Sequence, residues 1–243
     1  MSISIEARGL NLDYPIHSVR AQTLRSAVMN AAVGGKLLKN QQDTTFVRAL
    51  SNITFSLKEG DRLALIGHNG SGKSTLLKVL AGVYAPTSGL LSVKGRITSM
   101  ISMSIGLDPE ASGLRNIQTL LMMQSLSSKQ IRERIPRIIE FSELGPFIHM
   151  PFKTYSAGMM ARLTFAIGTE VEADVLLMDE WLSAGDAHFR DKASERIEAY
   201  VGQAKMMVLG THDIALAKRV CNKVMVLEAG HPTFYGSVED WGG

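Results

Sequence analysis

The chain has 243 residues, 45% of them hydrophobic and 20% charged, with a formal net charge of only +3. That length suits one α/β domain, or a core with a subdomain. The small charge does not argue for nucleic acid, and is compatible with work beside an anionic membrane surface. No apolar run approaches the roughly 20 residues a membrane-spanning helix needs. The N-terminus lacks the basic region and apolar core of a signal peptide. One cysteine, Cys221, excludes an internal disulfide framework and a cysteine zinc site, and a reducing cytosol follows as the default.

In chain order, Ile3–Tyr14 and Asn52–Leu57 read as strands, the second alternating Ile53, Phe55 and Leu57 against Thr54 and Ser56. Lys58-Glu59-Gly60-Asp61 is a turn into an apolar strand, Arg62–Ile66. Residues Gly67 to Ser74 then read Gly-His-Asn-Gly-Ser-Gly-Lys-Ser, the G-x-x-x-x-G-K-[ST] phosphate loop. A helix from Thr75 to Ala81 follows, stopped by Gly82. Strand, glycine loop and helix are what phosphate binding needs: backbone N–H groups converge on the anion, and the helix N-terminus adds its dipole. Lys73 would reach the β- and γ-phosphates, and the Ser74 hydroxyl would ligate Mg²⁺.

Pro86–Gly89 is a turn before a short strand, Leu90–Val93. The stretch from about 112 to 171 is helix-rich, with helices expected from Ser112, from Ser128 with a bend at Pro136, and from Ser156 to Val171. Strands Val175–Met178, Met206–Leu209 and Val224–Leu227 then alternate with helices His188–Tyr200 and Ile214–Val220, the pattern of a parallel α/β sheet. The chain thus reads as a nucleotide core interrupted by a helical insert.

Three further places carry chemistry. The buried strand Val175–Met178 ends in Asp179-Glu180, which puts two carboxylates where α/β folds bind ligands. Asp179 would hold Mg²⁺ and Glu180 is a candidate base for an attacking water. Ser156 is either an ordinary helix cap or, with Ala157 and Gly158, a second phosphate site. His212, after the strand Met206–Leu209, either contacts a γ-phosphate or is a structural histidine.

Taken together, in this order, these motifs resemble the nucleotide-binding subunit of ATP-binding cassette (ABC) transporters over essentially the whole chain. The resemblance implies a P-loop NTPase (RecA-like) core with an N-terminal β-subdomain and an inserted α-helical subdomain. Its expected bounds are a core at about 1–95 and 160–243, and a helical subdomain at about 96–159. Gly67, His68, Asn69, Gly70, Ser71, Gly72, Lys73 and Ser74 correspond to Walker A, continued by Thr75. Tyr155–Met159 corresponds to the signature motif, Asp179 and Glu180 to Walker B and the catalytic glutamate. Ser183–Asp186 corresponds to the D-loop and His212 to the switch histidine. The implied cofactors are ATP and Mg²⁺. In this family two copies sandwich ATP between the Walker A of one and the signature of the other, here Ser156, Ala157 and Gly158.

The details resemble the branch that exports lipid-linked polysaccharide such as O-antigen, capsule or teichoic acid. The carrying residues are Tyr155-Ser156-Ala157-Gly158-Met159, Asp179–Phe189 and Asp108–Ile117. The implied partners are a second copy and membrane permease subunits, with the lipid-linked glycan handled mostly by the permease and no nucleic acid. The implied location is peripheral, at the cytoplasmic face of the cell membrane. Alternatives are a small-solute importer or another exporter subunit, and a cassette acting on nucleic acid or ribosomes. The latter lacks its expected coiled-coil arms or second cassette. The chain stops at Gly243, so the carbohydrate-binding module of some members is expected to be absent.

Two departures stand out. No glutamine occupies the expected Q-loop position near Ile101–Gly106, where Ser102 stands instead. The adenine-stacking aromatic is displaced: Tyr14 is the best match and Phe46 the runner-up. Residues from about 16 to 46 look like an insert, with Arg20, Arg25, Lys36 and Lys39 and no acid from Tyr14 to Gln42. Ala21, Leu24, Val28 and Ala31 recur at helical spacing, with Gly34-Gly35 as a stop. Such a helix either lies at a membrane or partner surface or packs on its own domain.

Overall fold

The structure, a computed structural model, describes residues 2–15, 36–39, 45–101, 106–180 and 187–242. The elements are β1 (Ser4–Pro15), β2 (Lys36–Lys39), β3 (Thr45–Lys58), β4 (Arg62–Ile66), α1 (Lys73–Leu80), β5 (Ser88–Lys94) and β6 (Ile97–Ser99). Helices α2 (Gly113–Met123), α3 (Ser128–Ser142) and α4 (Ala157–Gly168) follow, with short 3₁₀ turns at Gly145–His149 and Phe152–Thr154. The chain closes with β7 (Val175–Asp179), α5 (Ala187–Gln203), β8 (Met206–Thr211), α6 (Ile214–Val220), β9 (Lys223–Glu228) and β10 (His231–Ser237).

These elements fall into two units. One comprises residues 1–97, 174–181 and 205–243, the other 98–173 and 182–204. The first contains a four-stranded antiparallel sheet ordered β2-β3-β1-β5. The six-stranded sheet is ordered β10-β9-β4-β8-β7-β6, and β9, β4, β8 and β7 run parallel. The central strands β4, β7 and β8 are buried nearly end to end. Continuous apolar runs such as Val175–Met178 are what a sheet covered on both faces requires.

β3 begins at Thr45, well before the expected Asn52. The cause is a break in alternation. Leu50 and Ile53 are both fully buried although three residues apart. Asn52 sits between them with φ of 52°, and the register against β1 shifts there. Asn52 N–H donates to the Asn11 side chain at 2.9 Å, which fixes the irregularity. A period-two search loses the strand at such a bulge. β10 was not expected at all. Pro232 and Gly236 argue against a strand, and both are tolerated because β10 is a sheet edge.

Of the insert expected at 16–46, the described parts are β2 and the first two residues of β3, with which it pairs. The amphipathic helix placed at Ala21–Ala31 lies outside the described residues.

The second unit is larger than the expected stretch 96–159, because it takes in α4 and α5. Three rings pack at its centre: Phe141, Phe165 and Phe189, with centroids 5.5 to 6.1 Å apart. Glu170, only 6% exposed, bridges Arg137 at 2.8 Å and Arg196 at 2.7 Å. Glu143 joins Arg162 and Lys192 in the same way. These ionic ties bind α5 to α3 and α4, which is why residues after β7 belong to this unit. The Ser127 side chain, with Gln130, forms a capping box at the start of α3. Pro136 lies inside that helix.

Candidate active site

β4 delivers the chain from the sheet centre into the glycine loop. Gly67 has φ of 157°, and a Cβ there would stand 2.4 Å from the Leu227 carbonyl oxygen and 2.5 Å from Ser71 Oγ. No side chain fits, so the loop can turn this tightly only with glycine. Gly230 N–H donates to the Ser71 carbonyl at 2.9 Å and pins the loop to the β9–β10 turn. Lys73 starts α1 and is 6% exposed. Its ammonium curls over the loop, donating to the carbonyls of Gly67 at 2.6 Å and His68 at 3.2 Å. His68, Asn69, Gly70 and Ser74 are exposed, and Thr75 is half-buried.

Two features test the loop for an anion. Ser71 Oγ is buried without a hydrogen-bond partner among the described residues. A buried hydroxyl without a partner costs free energy, so ligand contact there would be stabilising. Among the described residues the Lys73 ammonium donates to carbonyl oxygens, contacts that phosphate oxygens can replace with stronger charge-assisted ones. The residues present fit a polyphosphate.

The carboxylates arrive from β7. Asp179 ends the strand in register with Gly210 of β8. A Cβ at Gly210 would lie 2.9 Å from Asp179 Oδ1, 3.1 Å from Leu77 Cδ1 and 3.7 Å from Lys73 Cβ. Gly210 therefore lets the Asp179 carboxylate and the first turn of α1 approach each other. With Ser74, Asp179 supplies the hard oxygen donors Mg²⁺ prefers.

Glu180 follows in the left-handed region, φ 65°, with its N–H donating to the Gly210 carbonyl at 2.7 Å. That turn swings its side chain off the line of the strand. Glu180 Oε1 lies 3.0 Å from His212 Nδ1. Both are open to water, Glu180 at 40% and His212 at 76%. His212 is placed by α6, whose first turn is capped by Asp213 accepting from Leu216 N–H at 2.9 Å. Glu180, Thr211, His212 and Asp213 line a cleft of about 470 Å³ that extends to Arg219.

Tyr14 stands near the end of β1, with the side chains of Thr75 and Tyr84 beside its hydroxyl. Burial pushes its phenol above the ordinary value of 10.0, and the neighbouring Tyr84 adds to the rise. The runner-up, Phe46, pairs with Pro15 across β1 and β3.

Ser156, Ala157 and Gly158 belong to the second unit and are exposed. Ser156 is the cap of α4, accepting from Met159 N–H at 3.2 Å. Its neighbour Tyr155 is buried and donates to the Phe147 carbonyl at 2.7 Å. The stretch Asp108–Ile117 is knitted by Asn116, 1% exposed, which accepts from Asp108 N–H and donates to the carbonyls of Asp108 and Ala111.

A family model described as ABC transporter matches residues 50–183, more than half of the chain. The chain belongs to the ABC transporter family. Its ATP-binding cassette carries ATPase machinery, and relatives place it further. The cassette is 38% identical over 227 residues to the O-antigen export system ATP-binding protein of Yersinia enterocolitica, covering 93% of this chain and 95% of that one. It is 34% identical over 240 residues to a teichoic acids export ATP-binding protein of Staphylococcus haemolyticus, covering 99% and 87%. The O-antigen export system ATP-binding protein of Myxococcus xanthus is longer, and the 39% identical match spans 44% of it. Among solved structures, a dimeric ATP-binding cassette in a post-hydrolysis state with ADP and Pi superposes with a TM-score of 0.70. The sequences are 19% identical, and the match covers 98% of this chain and 100% of that one. That likeness concerns the fold.

Within this cassette, Lys73, Asp179, Glu180 and His212 converge in one unit, while Ser156–Gly158 sit in the other. Ser183–Asp186, expected as the D-loop, and Ser102, expected at the Q-loop position, lie outside the described residues. Sequence reasoning missed Gly210 and Tyr84. Gly210 has no chemistry to announce it inside an apolar strand, and Tyr84 reads as a residue beyond a helix stop. Cys221 is buried at the end of α6, and burial pushes its thiol up to about 12, which keeps it protonated and inert.

Proposed function

We propose that this cassette hydrolyses ATP to power export of a lipid-linked polysaccharide through a separate membrane permease. The observation that carries the chemistry is the 3.0 Å pairing of Glu180 with His212, at the strand ends where Asp179 and Lys73 also converge. What supports the cargo is the set of relatives named for O-antigen and teichoic acid export, at 34% to 40% identity. The signature Tyr155–Met159 adds to that support.

On ATP binding, Lys73 exchanges the carbonyls of Gly67 and His68 for β- and γ-phosphate oxygens. Loop N–H groups from Gly67 to Ser74 and the N-terminus of α1 face the same charge. Ser74 and Asp179 would hold Mg²⁺, which when bound neutralises charge on the β- and γ-oxygens. Glu180 takes a proton from water as its oxygen attacks the γ-phosphorus. The bond to the β–γ bridging oxygen breaks, and ADP leaves with that electron pair. His212 holds the carboxylate and the water in line. Ser156, Ala157 and Gly158 of a second copy close over the γ-phosphate, and Tyr14 stacks on the nucleobase. Closure of the two copies is the stroke delivered to the permease.

Among the described residues no helix is long and apolar enough to cross a membrane. We assign the cassette to the cytoplasmic face, bound through its permease.

The cargo is tested in cells of the source organism by replacing the chain with Lys73→Ala. Surface polysaccharide should fall at least tenfold while its lipid-linked precursor accumulates inside. Normal surface polysaccharide, with loss of uptake of a small solute instead, would point to an importer.

A further inference from the structure

Tyr14 is the residue on which the nucleobase is taken to stack, and it sits near the end of a strand. An aromatic platform works only if its ring orientation is fixed, since a freely turning side chain gives up affinity to conformational entropy. The structure places two neighbours against Tyr14, one from the first turn of α1 and one from just beyond its end. The Thr75 side chain, in the first turn, lies beside the Tyr14 hydroxyl. The Tyr14 ring meets the edge of Tyr84, centroids 5.4 Å apart and planes at 83°. That is the T-shaped geometry that aromatic quadrupoles favour.

Tyr84 is itself held by the far end of the same helix. Ala81 N–H donates to the Leu77 carbonyl at 2.9 Å, and Gly82 turns into the left-handed region at φ 75°. Val83 and Tyr84 N–H both reach back to the Lys78 carbonyl, at 2.9 and 3.4 Å. A glycine cap of this kind fixes the direction of the residues that follow it. Tyr84 thus leaves the helix on a defined course and closes on the Tyr14 ring.

We propose that Tyr84 is a positioning residue for the nucleobase platform, holding Tyr14 so that base and phosphates are gauged from one helix. α1 carries Lys73, Ser74 and Thr75 at its start and projects Tyr84 from its end. A nucleotide whose triphosphate is seated on the loop then meets a ring already set for its base. The consequence is selection for nucleoside triphosphates over bare polyphosphate. This rests on Tyr14 being the stacking residue.

The test is a thermodynamic cycle on the full chain, read as affinity for ATP and, by competition, for inorganic triphosphate. Tyr14→Ala should weaken ATP about tenfold and Tyr84→Ala about fivefold. Tyr84→Phe, which keeps the ring, should recover most of that loss. The double variant should be no weaker than Tyr14→Ala alone, because Tyr84 acts only through Tyr14. Inorganic triphosphate should bind all variants as it binds the unaltered chain. Losses that multiply in the double variant would overturn the proposal, as would wild-type ATP affinity in Tyr84→Ala alongside a loss in Tyr14→Ala. Weakened inorganic triphosphate in Tyr84→Ala would also overturn it, by assigning Tyr84 to the fold of α1. Wild-type ATP affinity in Tyr14→Ala would instead remove Tyr14 from the platform, and the proposal with it.

Discussion

Glu180 adopts a φ of 65°, a region that non-glycine residues enter at a cost of roughly 1–3 kcal/mol. The cost is offset by its N–H bond to Gly210, and the result is a carboxylate facing His212 instead of lying along β7. Gly210 does double duty, since its missing side chain leaves room for Asp179. Gly210→Ala is backbone-neutral, because Gly210 is not among the glycines with positive φ. The added Cβ would press on Asp179 Oδ1 at 2.9 Å and displace the carboxylate. We expect ATP turnover to fall about 100-fold, with far-UV circular dichroism unchanged. Turnover at the unaltered level would show that Asp179 tolerates displacement. Lys73, Asp179, Glu180 and His212 were legible in the sequence because each is chemically distinctive and stands at a strand or loop end. Gly210 was not, because its contribution is an absence.

The elements that carry the site were legible wherever burial is complete. β4, β7 and β8 are apolar throughout and bounded by turns, so length and composition identify them. β3 was half found, because the bulge at Asn52 breaks the alternation. β2, β6 and β10 are short or edge strands with no alternation to follow. Helix starts were read well because Ser112 and Ser156 cap in the expected way, and the helix expected from Ser128 starts there, capped by Ser127. Asp174 shows how an element is secured outside its own residues. Just before β7, its carboxylate accepts from Arg96 N–H at 3.0 Å and pairs with Lys205 at 3.1 Å. The backbone bond from Arg96, reinforced by Lys205, holds the acid below its ordinary value of 3.8, although burial opposes it. A lowered folded-state value contributes stability that is full above the unfolded value. It is lost as pH falls through the lower folded one. Asp174→Asn should therefore lower Tm at pH 7, and the deficit should shrink below about pH 4. A deficit unchanged between pH 7 and pH 3 would show that the charge is irrelevant.

At the scale of the whole molecule, the expected site residues are divided between two units. The phosphate loop, Asp179, Glu180 and His212 belong to one, and Ser156–Gly158 cap a helix of the other. The sharing of each ATP between two copies that we propose would use this division, one copy giving its loop and the other its Ser156 helix. Neither the net charge of +3 nor the composition reveals this division. Only the order of motifs along the chain pointed to it. Between β1 and β3, where an insert is expected, the structure describes the strand β2. The proposed ATPase mechanism depends on Glu180 acting as the base. Its most direct test is phosphate release by purified Glu180→Gln at saturating ATP, followed alongside bound ATP. Turnover should drop by at least 100-fold while ATP stays bound. Phosphate release at the unaltered rate would contradict the assignment of Glu180 and, with it, the mechanism built on the Glu180–His212 pair.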